Sequence, residues 1–309
     1  MISAPIAVSA GGGGRSWPLI SAAAKSPVQV QWTREDDMQN DFYRPAEMYR
    51  YRAALTANEL LAWHQSAVGI GRGIRGDSYV AGAMANYRSD SQGFTSNTPT
   101  GWWRAPGACT MAYVAESFFD EVCVELKKDP VAFRLDFFKK AKDAPVGRVG
   151  YDPTKYKAVV ELVAKMSNWG TTPAGVYRGF ATWFSFGSYA AQVVEIKLEA
   201  GKPRVTKVYC AVHCGRVINL SGAENQIQGA IVDGINHAMF PKVTFVDGAV
   251  QEPDWHLHHP HSLPRFGPGP QRHRGRPGAG DVRQPAVGAA LHQGQAADPG
   301  DGGGAAAPE

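Results

Sequence analysis

Residues 103–134 read WRAPGACTMAYVAESFFDEVCVELKKDPVAFR, and the folding of this stretch decides how the rest of the chain is arranged. Met111, Val114, Ala115, Phe118, Val122 and Leu126 recur every three or four residues, which predicts a helix over 108–128 with one apolar face. Pro130, which has no backbone N–H, closes it from beyond its end. Ahead of the helix, Thr98-Pro99-Thr100-Gly101 has turn chemistry. Arg104 is thereby set between a loop and a helix start.

Working outward, Val159, Val163 and Met166 share one face of a second helix over 155–168, with Gly170 as its stop. Residues 190–198 and 205–212 read as strands around Gly201-Lys202-Pro203, which predicts a hairpin. A third helix over 222–239 follows, with Ile227, Ile231, Ile235 and Ala238 as its buried stripe. Val28 to Trp32 alternates with the period of two that marks a half-buried strand. Together these elements predict an α+β fold, mixed sheets flanked by helices.

The chain has 309 residues, 44% of them apolar and 19% charged, with a net charge of +4, values of an ordinary globular protein. That small charge gives no reason to expect a nucleic acid partner. No run approaches the roughly 18 consecutive apolar residues that a membrane span needs, so the expectation is a soluble chain, with cytoplasm and periplasm both open. The four cysteines are scattered, and Cys210 and Cys214 lack the second pair or neighbouring histidines of a metal site. None has iron–sulfur spacing, so an electron relay would lie on another chain.

Beyond Trp255 the composition changes: residues 256–309 contain no Lys, Asn, Ile, Met, Thr, Tyr, Trp or Cys. Gly, Pro, Ala, Arg, His and Gln dominate, and Val287 and Leu291 are among the few apolar residues. Such a segment buries too little to offset its chain entropy, so it is expected to lie outside the fold. The same bias is what translation of GC-rich DNA in a shifted frame produces.

Three motifs resemble the xanthine dehydrogenase and aldehyde oxidase superfamily, most closely large subunits of the isoquinoline 1-oxidoreductase type. The first is Val30-Gln31-Trp32-Thr33-Arg34-Glu35-Asp36-Asp37-Met38 with Asp41-Phe42-Tyr43-Arg44-Pro45. The second runs from Trp103-Arg104-Ala105-Pro106-Gly107 through Glu116-Ser117-Phe118 and Asp120-Glu121 to Asp129-Pro130-Val131-Ala132-Phe133-Arg134. The third joins Ser185-Phe186-Gly187 and Glu195 to Ala211-Val212-His213-Cys214-Gly215-Arg216-Val217-Ile218-Asn219 and Gln226-Ile227-Gln228-Gly229. The resemblance implies the molybdopterin-binding domain fold of that superfamily and a molybdenum–pyranopterin cofactor, the cytosine dinucleotide form in an intact member. It also implies hydroxylation of an aldehyde or N-heterocycle with oxygen from water, and a small partner subunit carrying [2Fe-2S] clusters.

Carried over residue by residue, the resemblance makes Arg104 the catalytic candidate, reaching a small-molecule substrate where a planar cation orients and stabilises developing negative charge. A structural Arg104 would instead pair with Glu116 or Asp120. Gly12, Gly13 and Gly14 stand where the family has a glycine loop against the cofactor, although its Phe is missing here. Arg134 is expected near the cofactor, with an exposed helix arginine as the other reading, and Gln226 beside it in the first turns of the third helix. Gln192 and Glu195 fall on a strand and read equally as edge-facing polar residues. Asn219-Leu220 departs from the commoner Asn-Pro.

The family's general base is a glutamate in a Gly-Glu-Pro-Gly turn; after Trp255 the only glutamate is Glu309, and the family's Gly-Gln-Gly loop is absent. The expected division is therefore a damaged cofactor loop over 1–26, cofactor-binding lobes over 27–150 and 151–255, and an out-of-frame tail over 256–309. The function expected is that of an oxidoreductase fragment. Its alternative is an inactive remnant that binds no cofactor.

Overall fold

The computed structural model describes residues 20–29, 31, 42–70, 73–97, 100, 101, 105–239, 245, 246, 249, 250 and 286–291. Nine strands and four longer helices are defined among them. A three-stranded sheet comes first: β1 (Glu47–Leu55) runs antiparallel to β2 (Leu60–Gly69), which runs parallel to β3 (Tyr87–Gly93). Tyr49, Tyr51 and Ala53 of β1 face inward, while Met48, Arg50 and Arg52 alternate with them toward solvent. The inner face packs on α1 (Ala108–Glu125), where Tyr51, Trp63 and Phe118 form an aromatic cluster with ring centroids 5.0–5.7 Å apart.

After α1 comes α2 (Pro130–Asp143), which the sequence reading did not anticipate as a separate helix. Its start is strongly marked: the Asp129 carboxylate accepts from the N–H groups of Val131 and Ala132, and Pro130 occupies the first turn. The third helix, α3 (Pro153–Ser167), is capped in the same way by Asp152 and ends at Asn168 in the left-handed conformation. Its stripe of Tyr156, Val159, Val160 and Val163 is fully buried.

A second sheet has the order β4 (Tyr177–Ser185), β5 (Ser188–Glu199), β6 (Lys202–His213), β9 (Ala286–Leu291). The anticipated hairpin is β5–β6, closed by Ala200 and Gly201, both at positive φ. β9 lies parallel to β6, and α4 (Leu220–Met239) falls between them in the chain. The short pair β7 (Phe245–Val246) and β8 (Ala249–Val250) makes a third sheet.

Two expectations need correction. Residues 286–291 belong to a sheet, so the tail does not lie wholly outside the fold. They are six consecutive uncharged residues, and the free edge of β6 offers a row of backbone partners to such a run. Residues 28 and 29 form no strand, and the rest of that alternating run lies mostly outside the described residues. One hydrophobic core runs from Trp63 to Ala211, and α2 and α3 meet across the boundary expected at 150–151. Two thiols, Cys123 and Cys210, are buried, and burial pushes each up to about 12. In the native chain Cys109 and Cys214 are therefore expected to react quickly with a thiol reagent such as dithiobis-nitrobenzoate. The other two should react only on unfolding, a biphasic titration that one fast phase of four thiols would refute.

Candidate cofactor site

One end of the second sheet gathers much of the third motif. β5 pairs with β6 up to Tyr189 opposite His213, and β4 turns into β5 through Phe186 and Gly187, so this turn lies at the end where β6 exits toward α4. Phe186 has φ 51° and Gly187 φ 75°, the backbone of a tight two-residue hairpin turn. Glycine adopts this freely, whereas a bulky side chain at positive φ costs roughly 1–2 kcal/mol. Phe186 recovers none of that by burial, being 81% exposed. Replacing Phe186 with Asn, which tolerates this backbone, is expected to raise stability by about 0.5–1 kcal/mol. A melting temperature unchanged or lowered in Phe186→Asn would show the turn to be unstrained.

Across the loop from His213, Asn219 caps α4: its side-chain oxygen accepts from the N–H of Gly222 at 2.9 Å and from the Ser221 hydroxyl at 3.1 Å. Gln226 sits in the second turn of α4 and is exposed, so its amide is available to a ligand at this end. Ile218, 85% exposed, and Leu220, 52% exposed, add apolar surface beside it. The indole N–H of Trp183, on the strand leading to the strained turn, is buried and has no acceptor among the described residues. An orphaned donor, an open glycine turn and a helix N-terminus suit a group rich in carbonyl and phosphate oxygens.

Arg134 proves to be neither exposed nor open to a ligand. Its side chain is fully buried, with one guanidinium nitrogen 3.0 Å from the Glu116 carboxylate and 3.0 Å from that of Asp120, and another bonded to the Pro130 carbonyl. The guanidinium also lies over the rings of Phe119 and Phe180, at 4.3 and 5.1 Å. Glu116 accepts further from the Tyr79 hydroxyl at 2.8 Å and from the Thr182 N–H of β4 at 2.8 Å. Burial pushes the Glu116 carboxyl above its ordinary range, against the pull of Arg134. Residues from the Tyr79 turn, α1, α2 and β4 thus meet on one carboxylate, and the expectation that Arg134 contacts cofactor gives way to a role as structural counter-ion. Sequence cannot reveal this, because the helical periods place Glu116 and Arg134 on separate elements.

Arg104 and the glycines Gly12, Gly13 and Gly14 lie outside the described residues. Glu195 is buried and pairs with Arg178, at the sheet's core rather than its rim, while Gln192 is half-buried. A shallow depression of about 450 Å³ on the outer face of the first sheet, lined by Arg52, His64, Asn86 and Arg88 among others, contains none of the motif residues. No group of three or more potential metal ligands occurs among the described residues.

The sequence pattern of the molybdopterin cofactor-binding domain matches residues 91–256, and a second such pattern matches residues 17–138. Isoquinoline 1-oxidoreductase subunit beta of Brevundimonas diminuta is 26% identical over 268 residues, covering 77% of this chain and 32% of that protein. The membrane-bound, pyrroloquinoline-quinone aldehyde dehydrogenase of Gluconacetobacter polyoxogenes is 27% identical over 268 residues, covering 74% and 34%. The chain thus spans about a third of the length of these relatives. In fold it matches the crystal structure of quinoline 2-oxidoreductase from Pseudomonas putida 86 with a TM-score of 0.64, at 12% identity, over 89% of this chain and 58% of that one. The chain belongs to the molybdopterin cofactor-binding family of the xanthine dehydrogenase and aldehyde oxidase class of oxidoreductases.

Proposed function

We propose that this chain supplies cofactor contacts to a molybdenum hydroxylase that inserts water-derived oxygen into an aldehyde or an N-heterocycle. The observation that carries the reading is the strained, exposed Phe186–Gly187 turn at the sheet end from which β6 runs toward α4 and its exposed Gln226. When bound, the molybdenum–pyranopterin group, as its cytosine dinucleotide, supplies the two-electron redox chemistry. The chain's own part is to hold and orient. The open turn lets backbone N–H groups approach closely, and Gln226 offers an amide from α4. The dipole of the α4 N-terminus favours an anionic group there. Arg104 holds a cation toward the substrate, where it stabilises negative charge as it develops.

The sequence contains no Gly-Glu-Pro-Gly turn, so this reading assigns the role of proton-abstracting base to none of its glutamates. Electrons leave through an iron–sulfur partner, in keeping with a relative that is itself a subunit beta. Cofactor released from another protein of this class and titrated anaerobically into the full chain should bind saturably, one to one. The loaded chain should turn over neither benzaldehyde nor isoquinoline. Absence of saturable binding would overturn the reading in favour of the cofactor-free remnant, and turnover by the chain alone would show that it holds a base of its own.

A further inference from the structure

Between β2 and β3 the chain reads Gly69-Ile70-Gly71-Arg72-Gly73-Ile74-Arg75-Gly76-Asp77. A glycine-rich loop after a strand usually aims its N–H groups at a bound anion. Here the N–H groups of residues 73–75 are already taken. Gly73 donates to the Glu47 carboxylate at 2.6 Å, Ile74 to the Ser91 hydroxyl at 3.0 Å, and Arg75 to the Met111 sulfur at 3.3 Å. The Arg75 carbonyl accepts at 2.7 Å from Gln65, which is buried and is itself held by the Trp63 indole at 3.1 Å. Gly73 has φ +73°, and a Cβ there would come within 1.8 Å of the Ser91 hydroxyl oxygen, so the position requires glycine. The result of so many anchors is a fixed origin for the Arg75 side chain.

That side chain reaches the other sheet. Its Nε and Nη2 donate to the two carboxylate oxygens of Asp77 at 2.8 and 2.6 Å, a bidentate pair that fixes the plane of the guanidinium. The guanidinium carbon lies 5.0 Å from the centre of the Phe184 ring on β4. Phe184 stands two residues before Phe186 and packs against Tyr151 and Tyr189. On its other side the loop touches Met111, one turn into the helix that follows Trp103-Arg104-Ala105-Pro106-Gly107. Arg75 therefore contacts both the helix after the second motif and the hairpin of the third.

We propose that Arg75 is a positioning residue, a clamp that holds the β4–β5 hairpin so that the Phe186–Gly187 turn stands ready for cofactor. The proposal rests on the cofactor-binding reading given above. The Arg75–Asp77 pair is about a third exposed on each side, and exposed pairs of this kind add little to global stability. The effect of Arg75 is local.

The test uses the full chain and the variants Arg75→Met and Arg75→Lys, with Asp77→Asn as a second way to release the guanidinium. Hydrogen exchange of the amides at 184–189 is compared with that of α3, and the released cofactor is titrated as before. Arg75→Met should speed exchange in the hairpin at least tenfold, leave α3 and the melting temperature nearly unchanged, and weaken cofactor binding about tenfold. Arg75→Lys should restore much of both, because a cation remains over the ring. Hairpin exchange unchanged in Arg75→Met and Asp77→Asn would overturn the clamp, and faster exchange with unaltered affinity would overturn its role toward cofactor. If Arg75→Met fails to fold, the proposal of a local effect is wrong unless Asp77→Asn reproduces the selective loosening. If the parent chain binds no cofactor, the functional reading fails by itself, and the exchange comparison still decides whether Arg75 holds the hairpin.

Discussion

Replacing Glu116 with Ala is expected to destabilise the fold by about 3–5 kcal/mol, the scale of leaving one member of a buried ion pair alone. Arg134, with no exposed side-chain surface, would retain the Pro130 carbonyl and, as its one charged partner among the described residues, Asp120, which is 44% exposed and so partly satisfied by water. Its Nε already lacks a partner among the described residues, so the guanidinium has little left to lose. The Tyr79 hydroxyl and the Thr182 N–H would also lose their acceptor. At roughly 2–4 °C per kcal/mol for a chain above 150 residues, the melting temperature should fall by some 6–20 °C. The double variant Glu116→Leu with Arg134→Met should be more stable than the sum of its singles, since it removes both charges together. A loss under about 1 kcal/mol on denaturant unfolding of Glu116→Ala would show that water enters and that the pair is not truly enclosed.

The largest effect on activity is expected at Arg104. In a form of the chain extended to carry a Gly-Glu-Pro-Gly turn and loaded with cofactor, Arg104→Met should lower kcat/KM for an aldehyde by about a hundredfold, the effect of losing one charge-stabilising donor. Methionine keeps the aliphatic bulk and removes the charge, so the comparison isolates the cation. The reason to expect a functional arginine is the resemblance of Trp103-Arg104-Ala105-Pro106-Gly107 to the family's motif, in which this cation reaches the substrate. Cofactor affinity should stay within about twofold, well short of a tenfold change worth about 1.4 kcal/mol. Activity within about twofold of the parent would assign Arg104 a structural place.

What could be read from the sequence divides along a physical line. Periodicity is local, so α1, α3 and the β5–β6 hairpin were legible from Met111 and Phe118, from Val159 and Val163, and from Gly201. The first sheet was legible in principle, since Tyr49-Arg50-Tyr51-Arg52 alternates with the period of a half-exposed strand. It carries none of the family's motif residues, and a reading that follows motifs passes over it. Asp129-Pro130 likewise announces the start of α2 as clearly as it closes α1. The place of Arg134 was not legible: only tertiary packing brings its guanidinium to Glu116, 18 residues away on another helix, whose carboxylate also accepts from the Thr182 N–H of β4. The same holds for Arg75, whose glycine-rich surroundings suggest a phosphate loop until the partners of each N–H are known.

The parallel pairing of β9 with β6 also orders events in time. β4, β5 and β6 are joined by two-residue turns and can pair as soon as His213 has left the ribosome. The strand that covers the outer edge of β6 begins only at Ala286. At about 5–20 residues per second, that edge waits roughly 4–15 s on the nascent chain. It presents unpaired N–H and C=O groups along Lys207 to Val212 throughout that interval. Neighbouring nascent chains on one messenger would meet edge to edge, so the yield of folded protein should depend on ribosome spacing and on chaperones that shield a strand edge, more than on the stability of the finished core.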